Sequence, residues 1–405
     1  MIAALNILET SKCGALKTSG QGSVQVNGVD DQAGFIAVES DGRGGSPSCN
    51  GQGATIEAAS NALNFIRADG PLGPGTGLIQ AYALNVAPTG NPAKAYNTGP
   101  IQPTPTVLTE RYGTMPVTDI FNCTATSCAP GGDDWVDQLE AAYGGSGIPT
   151  QVWPTSASLG AFKTLTSADA PNFTCNGNAS TPPIVVPAGN WYVDCPSGLK
   201  VAGLVAFRGG HVVTSGPVEL GSSTACLAFN VPVDPTTPAC PTADTAADPD
   251  TTSPAPSGDA VLFIRSGRLY KVSQAQLYLP RTFTYLGNGY TDLAGGSGAL
   301  LMTTPLADEV ACTTDACKNQ HFRRLVLWSE SNSLHSIGGQ SALVLRGVLF
   351  TPNAESVFAG QAGQQQADAQ FWTRTLEVAG QGTLVMAADP DAAVSRPLLG
   401  VSLIR

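Results

Sequence analysis

The last quarter of the chain alternates short apolar runs with residues that favour turns. The runs at 343–350, 369–378 and 383–386 are rich in Val, Leu, Phe and Trp, and Gly, Asn, Gln and Pro separate them. Short apolar segments bounded by turn residues are typical of β-strands, and no stretch here keeps a helical period. The pattern therefore predicts neighbouring strands of a wound or stacked sheet, in the part of the chain best able to bury a core.

The same pattern recurs upstream. Residues 23–26 alternate polar and apolar side chains before Asn27-Gly28, a strong tight-turn signal, and residues 35–38 repeat the scheme. Residues 205–222 form three six-residue units, each a short apolar segment that ends in Gly or Ser. These units resemble the sides of solenoid coils, although antiparallel hairpins could give the same pattern.

We therefore predict an all-β fold, a parallel β-helix or β-solenoid, with a β-sandwich as the alternative. Further strands are predicted at 54–58, 182–193, 261–264, 267–270, 276–279, 282–286, 300–303 and 325–328.

One solenoid-like domain over residues 1–405 is predicted to carry two long insertions. The first covers about 69–181, where Gly, Pro and Thr interrupt the periodicity, and it includes one short helix predicted at 133–143. The apolar stripe of this helix is expected to lie against the β-body. The second insertion covers about 232–258, whose Pro, Thr, Ala and Asp residues cannot bury enough apolar surface to form a core element.

Composition and charge narrow the functional classes. Apolar residues make up 42% of the 405 positions and charged residues only 13%, so Ser, Thr, Asn, Gln and Gly must cover most of the surface. Frequent turns, implied by 46 Gly and 30 Pro, suit an extracellular β-protein. The net charge of −11 and the lack of a basic run oppose binding to a phosphate backbone. We expect no nucleic-acid partner.

Ten cysteines suggest an oxidised, exported protein. A zinc site is the rival hypothesis, but the two closely spaced pairs stand far apart and His is nearly absent. Pairing each cysteine with its sequence neighbour would close five local loops, although sequence alone does not determine the connectivity. The disulfide candidates in this order are Cys13 and Cys49, Cys123 and Cys128, Cys175 and Cys195, Cys226 and Cys240, and Cys312 and Cys317.

No segment of the chain has the sequence pattern of a signal peptide or of a membrane-spanning helix. Residues 1–8 are too short for a signal core, and no apolar run approaches the roughly 20 residues of a membrane-spanning helix. Oxidised cysteines require export. We therefore expect a signal or a membrane anchor upstream of this chain.

The three histidines leave little scope for a Ser-His-Asp mechanism. His211 lies in a strand unit, His321 lies beside two arginines, and His335 lies in a turn. No Gly-x-Ser-x-Gly elbow and no phosphate-binding glycine loop is present. Surface or packing roles are expected for these histidines, and no cofactor is expected.

A polysaccharide-cleaving enzyme would need paired carboxylates on one face. The available pairs are Asp30/Asp31, Asp133/Asp134 and Asp389/Asp391. Helix capping or turn hydrogen bonds explain them better, so no catalytic residue is predicted.

The sequence also contains residues that are typical of calcium sites and of sugar-binding sites. Calcium could bind flexible carboxylates, but their spacing here fits no known loop, so no metal site is predicted. Those residues are Asp244, Asp248, Asp250 and Asp259. Exposed Trp153 and Trp191 could stack on sugar rings, whereas Trp328 and Trp372 lie in apolar strands and are expected in the core.

Short motifs at both ends of the chain resemble one known family. The C-terminal motifs are Phe350-Thr351-Pro352-Asn353-Ala354, Ala369-Gln370-Phe371, Leu376-Glu377-Val378-Ala379-Gly380-Gln381-Gly382-Thr383-Leu384, Asp389-Pro390-Asp391 and Leu403-Ile404-Arg405. The N-terminal motifs are Ala4-Leu5-Asn6-Ile7-Leu8, Cys13-Gly14-Ala15-Leu16 and residues 20–28. Together they resemble the exported region of TadG-like proteins, assigned to assembly of the bacterial tight-adherence (Flp) pilus. Residues 59–260 have no match in this resemblance.

The resemblance implies a bacterial envelope protein whose large domain lies outside the cell, held by an N-terminal helix that this chain lacks. It implies other pilus or envelope proteins as partners and supplies no catalytic residues. We therefore expect a non-catalytic, extracellular structural or adhesive component of a Tad/Flp-type pilus system, with surface polysaccharide as a further candidate partner. The alternative is a polysaccharide-binding or polysaccharide-cleaving β-helix protein.

Overall fold

The computed structural model describes residues 3–9, 12–40, 56–57, 65–85, 101–102, 163–243, 252–253, 260–304 and 325–388, with short gaps at 30, 39, 82–83, 179–180, 232, 265, 273, 287–288, 295–297, 330 and 339–341. All regular structure in these ranges is β-strand. The described residues contain no helix that is long and apolar enough to cross a membrane. The helix predicted at 133–143 lies outside the described residues.

Twenty-eight strands follow one another along the described chain. They are β1 Leu5–Ile7, β2 Leu16–Thr18, β3 Ser23–Val26, β4 Phe35–Val38, β5 Ile56–Glu57, β6 Ile66–Ala68, β7 Leu78–Gln80, β8 Leu84–Asn85, β9 Ile101–Gln102, β10 Lys163–Thr164, β11 Ile184–Val186, β12 Gly189–Val193, β13 Leu199–Val201, β14 Leu204–Phe207, β15 Gly210–Thr214, β16 Val218–Leu220, β17 Cys226–Phe229, β18 Thr242–Ala243, β19 Thr252–Ser253, β20 Ala260–Ile264, β21 Arg268–Lys271, β22 Gln276–Leu279, β23 Thr282–Leu286, β24 Tyr290–Ala294, β25 Ala299–Thr303, β26 Leu325–Ser329, β27 His335–Gly338 and β28 Ala342–Met386.

Three successive strands make one coil, because each strand pairs in parallel with the equivalent strand of the next coil. Thus β11 pairs with β14, β12 with β15, and β13 with β16. Aligned residues are 21 apart at Asn190 and His211, and 22 apart at Val261 and Phe283. The predicted parallel β-solenoid is confirmed. The β-sandwich alternative is wrong, since among the described strands only β18 and β19 pair in antiparallel fashion.

The coils stack into a prism with three faces, named here A, B and C. Face A contains β11, β14, β17, β22, β25, residues 342–346 and 383–386 of β28, β3 and β6. Face B contains β10, β12, β15, β20, β23, β26, residues 348–350 and 371–373, β1, β4, β7 and β9. Face C contains β13, β16, β21, β24, β27, residues 356–358 and 376–378, β2, β5 and β8.

The order of coils in the stack differs from their order in the chain at one place. The coils of residues 163–388 rise in chain order, but β1, β2 and β3 then pair with residues 371–373, 376–378 and 383–386. The long β28, predicted from the sequence as core strands, therefore lies in the middle of the stack. Gln102 and Lys163 lie at opposite ends of the stack, because β9 pairs with β7 and β10 pairs with β12.

The two segments predicted as insertions contribute some strands. Strands β7 and β10 fall within 69–181 and pair with the stack, whereas residues 103–162 lie outside the described part of the chain. Within 232–258 the described residues include the β18–β19 hairpin. This loop is joined to β17 by a disulfide between Cys226 and Cys240.

One continuous apolar core fills the prism. Leu5, Leu262 and Leu349 are each at most 2% exposed and belong to a single cluster that runs through both ends of the chain. Burying a leucine side chain contributes about 2 kcal/mol, so the repeated inward rows supply most of the stabilisation. At some corners of the coils only glycine fits. Gly380 has φ 93°, and a Cβ there would collide with the carbonyl oxygen of Gly360.

Face B is buried on its outer side as well. Residues in register along that side, among them Tyr192, Phe263, Tyr285 and Trp328, are at most 4% exposed. The rings of Phe263 and Tyr285 lie 4.7 Å apart. Parallel sheets are commonly covered on both faces. The outer side of face A is also largely buried, around Ala206 and Ala228. In the described coils, the outward side chains of face C are at least partly exposed along the row, from Lys200 through Tyr270 to Lys17.

Candidate functional site

A row of polar side chains runs along the outside of face C. In register from coil to coil are Lys200, Glu219, Tyr270 and Asp292. Neighbouring parallel strands lie about 4.8 Å apart, so the row presents one functional group at each step. Lys200 is exposed, and the others are half-buried.

Arg268 joins this row into one cluster. Its Nε donates to Glu219 Oε1 at 3.0 Å, and its Nη1 donates to Asp292 Oδ2 at 3.5 Å. Its guanidinium carbon lies 4.1 Å from the ring centroid of Tyr270. Although partial burial opposes it, the hydrogen bond to Glu219 holds the pKa of Arg268 above its ordinary value. The guanidinium is therefore a permanent charge between two carboxylates.

We name this cluster the Arg268 patch; it consists of Lys200, Glu219, Arg268, Tyr270, Tyr290 and Asp292. Strand alternation creates it, since every second residue of a strand points to the same side. In β21, Arg268 and Tyr270 point outward, while Leu269 is buried in the core. Tyr290 of β24 is aligned with Arg268. The strands that form the patch belong to one face of the prism, and its side chains are at least partly exposed.

Lys271 ends the same strand but is only 2% exposed. Desolvation by burial lowers the pKa of its ammonium to about 8. Its Nζ donates to the carbonyl oxygen of Val272 at 3.4 Å. Lys271 therefore lies beneath the surface and does not add a charge to the Arg268 patch.

Several predicted cysteines lie in disulfides. Cys175 and Cys195 are joined with their Cα atoms 5.5 Å apart, and Cys226 and Cys240 are joined with theirs 6.1 Å apart. Cys13 is also disulfide-bonded. The remaining candidates lie outside the described residues: Cys49, Cys123, Cys128, Cys312 and Cys317. Disulfides of this kind are typical of extracellular proteins.

The described histidines occupy packed positions. His211 is 9% exposed and its Nδ1 lies 2.8 Å from Asn190 Oδ1. His335 is fully buried on the inner side of face C, where its Nδ1 accepts the Thr291 N–H at 3.2 Å. Desolvation by burial lowers the pKa of His335 to about 4, so it is neutral in the folded protein at pH 7. His321 lies outside the described residues.

The predicted carboxylate pairs are not brought together in the described part of the chain. Asp31 lies in an exposed turn with φ 62°, and the other members of the three pairs lie outside the described residues. The four calcium candidates Asp244, Asp248, Asp250 and Asp259 also lie outside the described residues. No cluster of three or more metal-ligating side chains occurs among the residues that the structure describes.

The tryptophans form no exposed sugar platform in the described ranges. Trp191 is 7% exposed, and its Nε1 donates to the Pro187 carbonyl oxygen at 2.8 Å. Trp328 and Trp372 are buried, as the sequence predicted. Trp153 lies outside the described residues. The aromatic rings of the Arg268 patch belong instead to Tyr270 and Tyr290, which are half-buried.

The Arg268 patch was not among the sequence predictions. Its signal was the alternation in Arg268-Leu269-Tyr270-Lys271 and in Tyr290-Thr291-Asp292-Leu293, two segments one coil apart. Aligning them at the 22-residue period would have placed Arg268 beside Tyr290 and Tyr270 beside Asp292. Glu219, separated from Tyr270 by the insertion after β17, could not be aligned in this way.

Comparison with family models, with curated proteins and with solved structures finds no match for this chain.

Proposed function

We propose that this protein is an extracellular adhesive scaffold that binds neutral polysaccharide through the Arg268 patch. The observation that carries the proposal is the contact of one guanidinium with Glu219, Asp292 and the ring of Tyr270 on the open face of the solenoid. Carboxylates, guanidinium and phenol hydroxyls all exchange hydrogen bonds with sugar hydroxyls, and an aromatic ring supports the apolar face of a sugar.

The shape of the patch favours a polymer over a small molecule. Small-molecule sites are concave and enclose most of their ligand. The row on face C is instead linear, and its steps recur about every 4.8 Å along the stack. A polysaccharide strand lying parallel to the stack would meet Lys200, Glu219, Tyr270 and Asp292 in turn.

The charges of the patch favour a neutral polysaccharide. Lys200 and Arg268 balance Glu219 and Asp292, so the patch offers polar groups of both signs. The chain as a whole carries a net charge of −11. A strongly anionic polymer would be repelled at long range by this charge.

Polysaccharide cleavage is the second candidate, since two carboxylates lie on one face. Glycosidases need two carboxyl groups that flank the scissile bond, with space for sugar and water between them. Here Arg268 occupies the space between Glu219 and Asp292 and contacts both. This arrangement favours binding over cleavage.

The wider setting of the proposal comes from the resemblance to TadG-like proteins. We propose that the solenoid acts in a Tad/Flp-type pilus system of the bacterial envelope, with pilus or envelope proteins as partners. The observed disulfides support an extracellular location. A rigid stack with its adhesive row exposed on one face suits a structural or adhesive role.

The test is binding of the full chain to neutral and anionic polysaccharides by affinity electrophoresis and calorimetry. We expect retention by a neutral polymer and at least tenfold weaker binding for Tyr270→Ala, about the loss expected when one stacking ring is removed. Arg67→Ala is the matched control. Arg67 also forms an ion pair, with Asp69, and lies 4.9 Å from the ring centroid of Phe65 on another part of the stack.

Two results would overturn the proposal. One is that Tyr270→Ala, like the control Arg67→Ala, binds every polymer with the affinity of the unaltered chain. The other is retention of anionic polymers alone. Release of new reducing ends that stops in Glu219→Gln would favour the cleavage alternative.

A further inference from the structure

The seam of the solenoid is the set of contacts that β1, β2 and β3 make with residues 371–386. It joins an N-terminal block, the described residues of 3–102, to a C-terminal block, the described residues of 163–388. Elsewhere each coil in the stack continues from the coil before it in the chain. At the seam, two coils that are distant in the chain lie next to each other.

The seam is a complete parallel β interface. Its backbone hydrogen bonds include Leu8 N to Thr373 O at 2.8 Å, Ser19 N to Val378 O at 2.9 Å and Phe371 N to Ala4 O at 2.9 Å. The apolar core continues across it, since buried residues of both blocks belong to one cluster. The edge of the C-terminal block therefore fits the N-terminal block as closely as successive coils fit each other.

Charged groups outside the core reinforce this fit. Arg374 Nε donates to Glu9 Oε2 at 2.7 Å, and Lys17 Nζ lies 2.7 Å from Glu377 Oε2. The hydrogen bond to Glu377 raises the pKa of Lys17 above its ordinary value. Burial raises the pKa of Glu377, but hydrogen bonds from Lys17 and Ser19 outweigh it and hold that pKa below its ordinary value. Each ion pair links one block to the other.

Closure of the seam within one molecule requires the chain to return along the whole stack. On face B, the eleven strand-to-strand steps from Lys163 to Gln102 span about 53 Å at about 4.8 Å each. The 60 residues 103–162 could extend over about 200 Å, so their length permits this closure. The length of this segment does not require the seam to close within one molecule.

We propose that the seam also forms between copies of this chain, with the N-terminal block of one copy stacked on the C-terminal block of the next. Every contact of the closed seam is kept in this exchange, so the two forms differ mainly in the entropy of linking the blocks. Two copies that exchange their N-terminal blocks with each other close into a dimer, and each further copy that joins the exchange in turn lengthens an open assembly. This inference does not rest on polysaccharide binding, and its test uses no sugar.

The test places one cysteine on each side of the seam, in separate chains. Lys17 and Glu377 are aligned neighbours on the exposed side of face C. Lys17→Cys and Glu377→Cys chains with different tags are mixed at several protein concentrations, oxidised, and separated without reductant. We expect a disulfide-linked heterodimer whose yield rises with protein concentration, because the exchanged seam is bimolecular.

Lys200→Cys mixed with Glu219→Cys is the matched control. These residues are also an aligned Lys and Glu on face C, but both lie within the C-terminal block. Exchange at the seam leaves them in the same chain, so this mixture should give no heterodimer above the background of random collision. A chain that carries both Lys17→Cys and Glu377→Cys should form its internal disulfide at any concentration.

Two results would overturn the inference. The first is a Lys17→Cys and Glu377→Cys mixture that gives no more heterodimer than the control pair at the highest concentration. The second is a doubly substituted chain that forms neither an internal nor an intermolecular disulfide, since the seam itself would then be absent. Loss of polysaccharide binding in any of these chains bears only on the proposed function.

Discussion

Acid should destabilise this protein through His335, and the size of the effect can be worked out from its burial. The imidazole is fully buried, and its pKa falls from an ordinary 6.5 to about 4. Its neighbours across the sheet, Thr291 and Ser356, carry hydroxyl groups and no charge. A proton on Nδ1 would face the Thr291 N–H, which donates to that nitrogen in the fold. The folded state therefore disfavours the charged imidazole.

The sign of the effect follows from which state binds the proton more tightly. Between pH 6.5 and about 4 the unfolded chain holds the proton and the folded chain does not, so stability falls as the pH falls. One pH unit of difference in pKa corresponds to about 1.4 kcal/mol. The contribution lost between pH 7 and pH 4.5 is thus about 2 kcal/mol, a large part of the roughly 5–15 kcal/mol typical of a domain.

The assay is urea unfolding at a series of pH values from 7 to 4.5, for the unaltered chain and for His335→Asn. Carboxylates with lowered pKa, such as Asp169 and Glu377, also weaken the fold in acid, but they act equally in both chains. The difference between the two curves should therefore shrink by about 2 kcal/mol on acidification. His211→Asn, a substitution at another packed histidine that keeps His335, is the control and should retain that contribution. Parallel curves for the unaltered chain and His335→Asn would refute the reasoning.

Two substitutions test the interior and the corners of the stack by thermal and urea unfolding. Lys271→Met should stabilise the fold by about 1–3 kcal/mol at pH 7, because burial lowers the pKa of this ammonium from 10.5 to about 8. The substitution should also remove the rise in stability of the unaltered chain between pH 8 and 10.5. The control Lys200→Met, at an exposed lysine, should change stability little, and a destabilised Lys271→Met would contradict the prediction. Gly380→Ala should cost about 2–4 kcal/mol, since φ is 93° and a Cβ would meet the Gly360 carbonyl. Gly221→Ala has open space around the new Cβ and should be nearly neutral; equal losses for both glycines would contradict the clash.

Many strands of this fold could be predicted from the sequence, because each strand of a solenoid coil is a short apolar run bounded by turn residues. The strands predicted at 261–264, 276–279 and 282–286 correspond to β20, β22 and β23. Their apolar runs are buried, and turn residues bound them. Strands β24 and β27 were missed because their outward positions carry polar residues and their runs are short: Tyr-Thr-Asp-Leu-Ala and His-Ser-Ile-Gly contain few apolar side chains. Parallel pairing with adjacent coils, a long-range contact, defines them as strands.

The candidate site was not predicted, because it exists only after coils have stacked. Glu219 and Arg268 are 49 residues apart, and nothing in the local sequence aligns them. Two of the three carboxylate pairs considered from sequence, Asp30/Asp31 and Asp133/Asp134, are adjacent residues, and alternation in a strand sends adjacent residues to opposite sides of a sheet. Side chains that share a face of a solenoid are instead separated by whole coils. A search for sites in such chains must therefore compare positions at the coil period and allow for insertions.

The seam shows why local pattern alone leaves the order of coils open. Each coil edge presents the same backbone hydrogen-bond pattern and the same inward apolar rows, so many coils of matching register could pair there. What distinguishes the observed neighbour is the outer row, where Lys17 lies against Glu377 and Arg374 against Glu9.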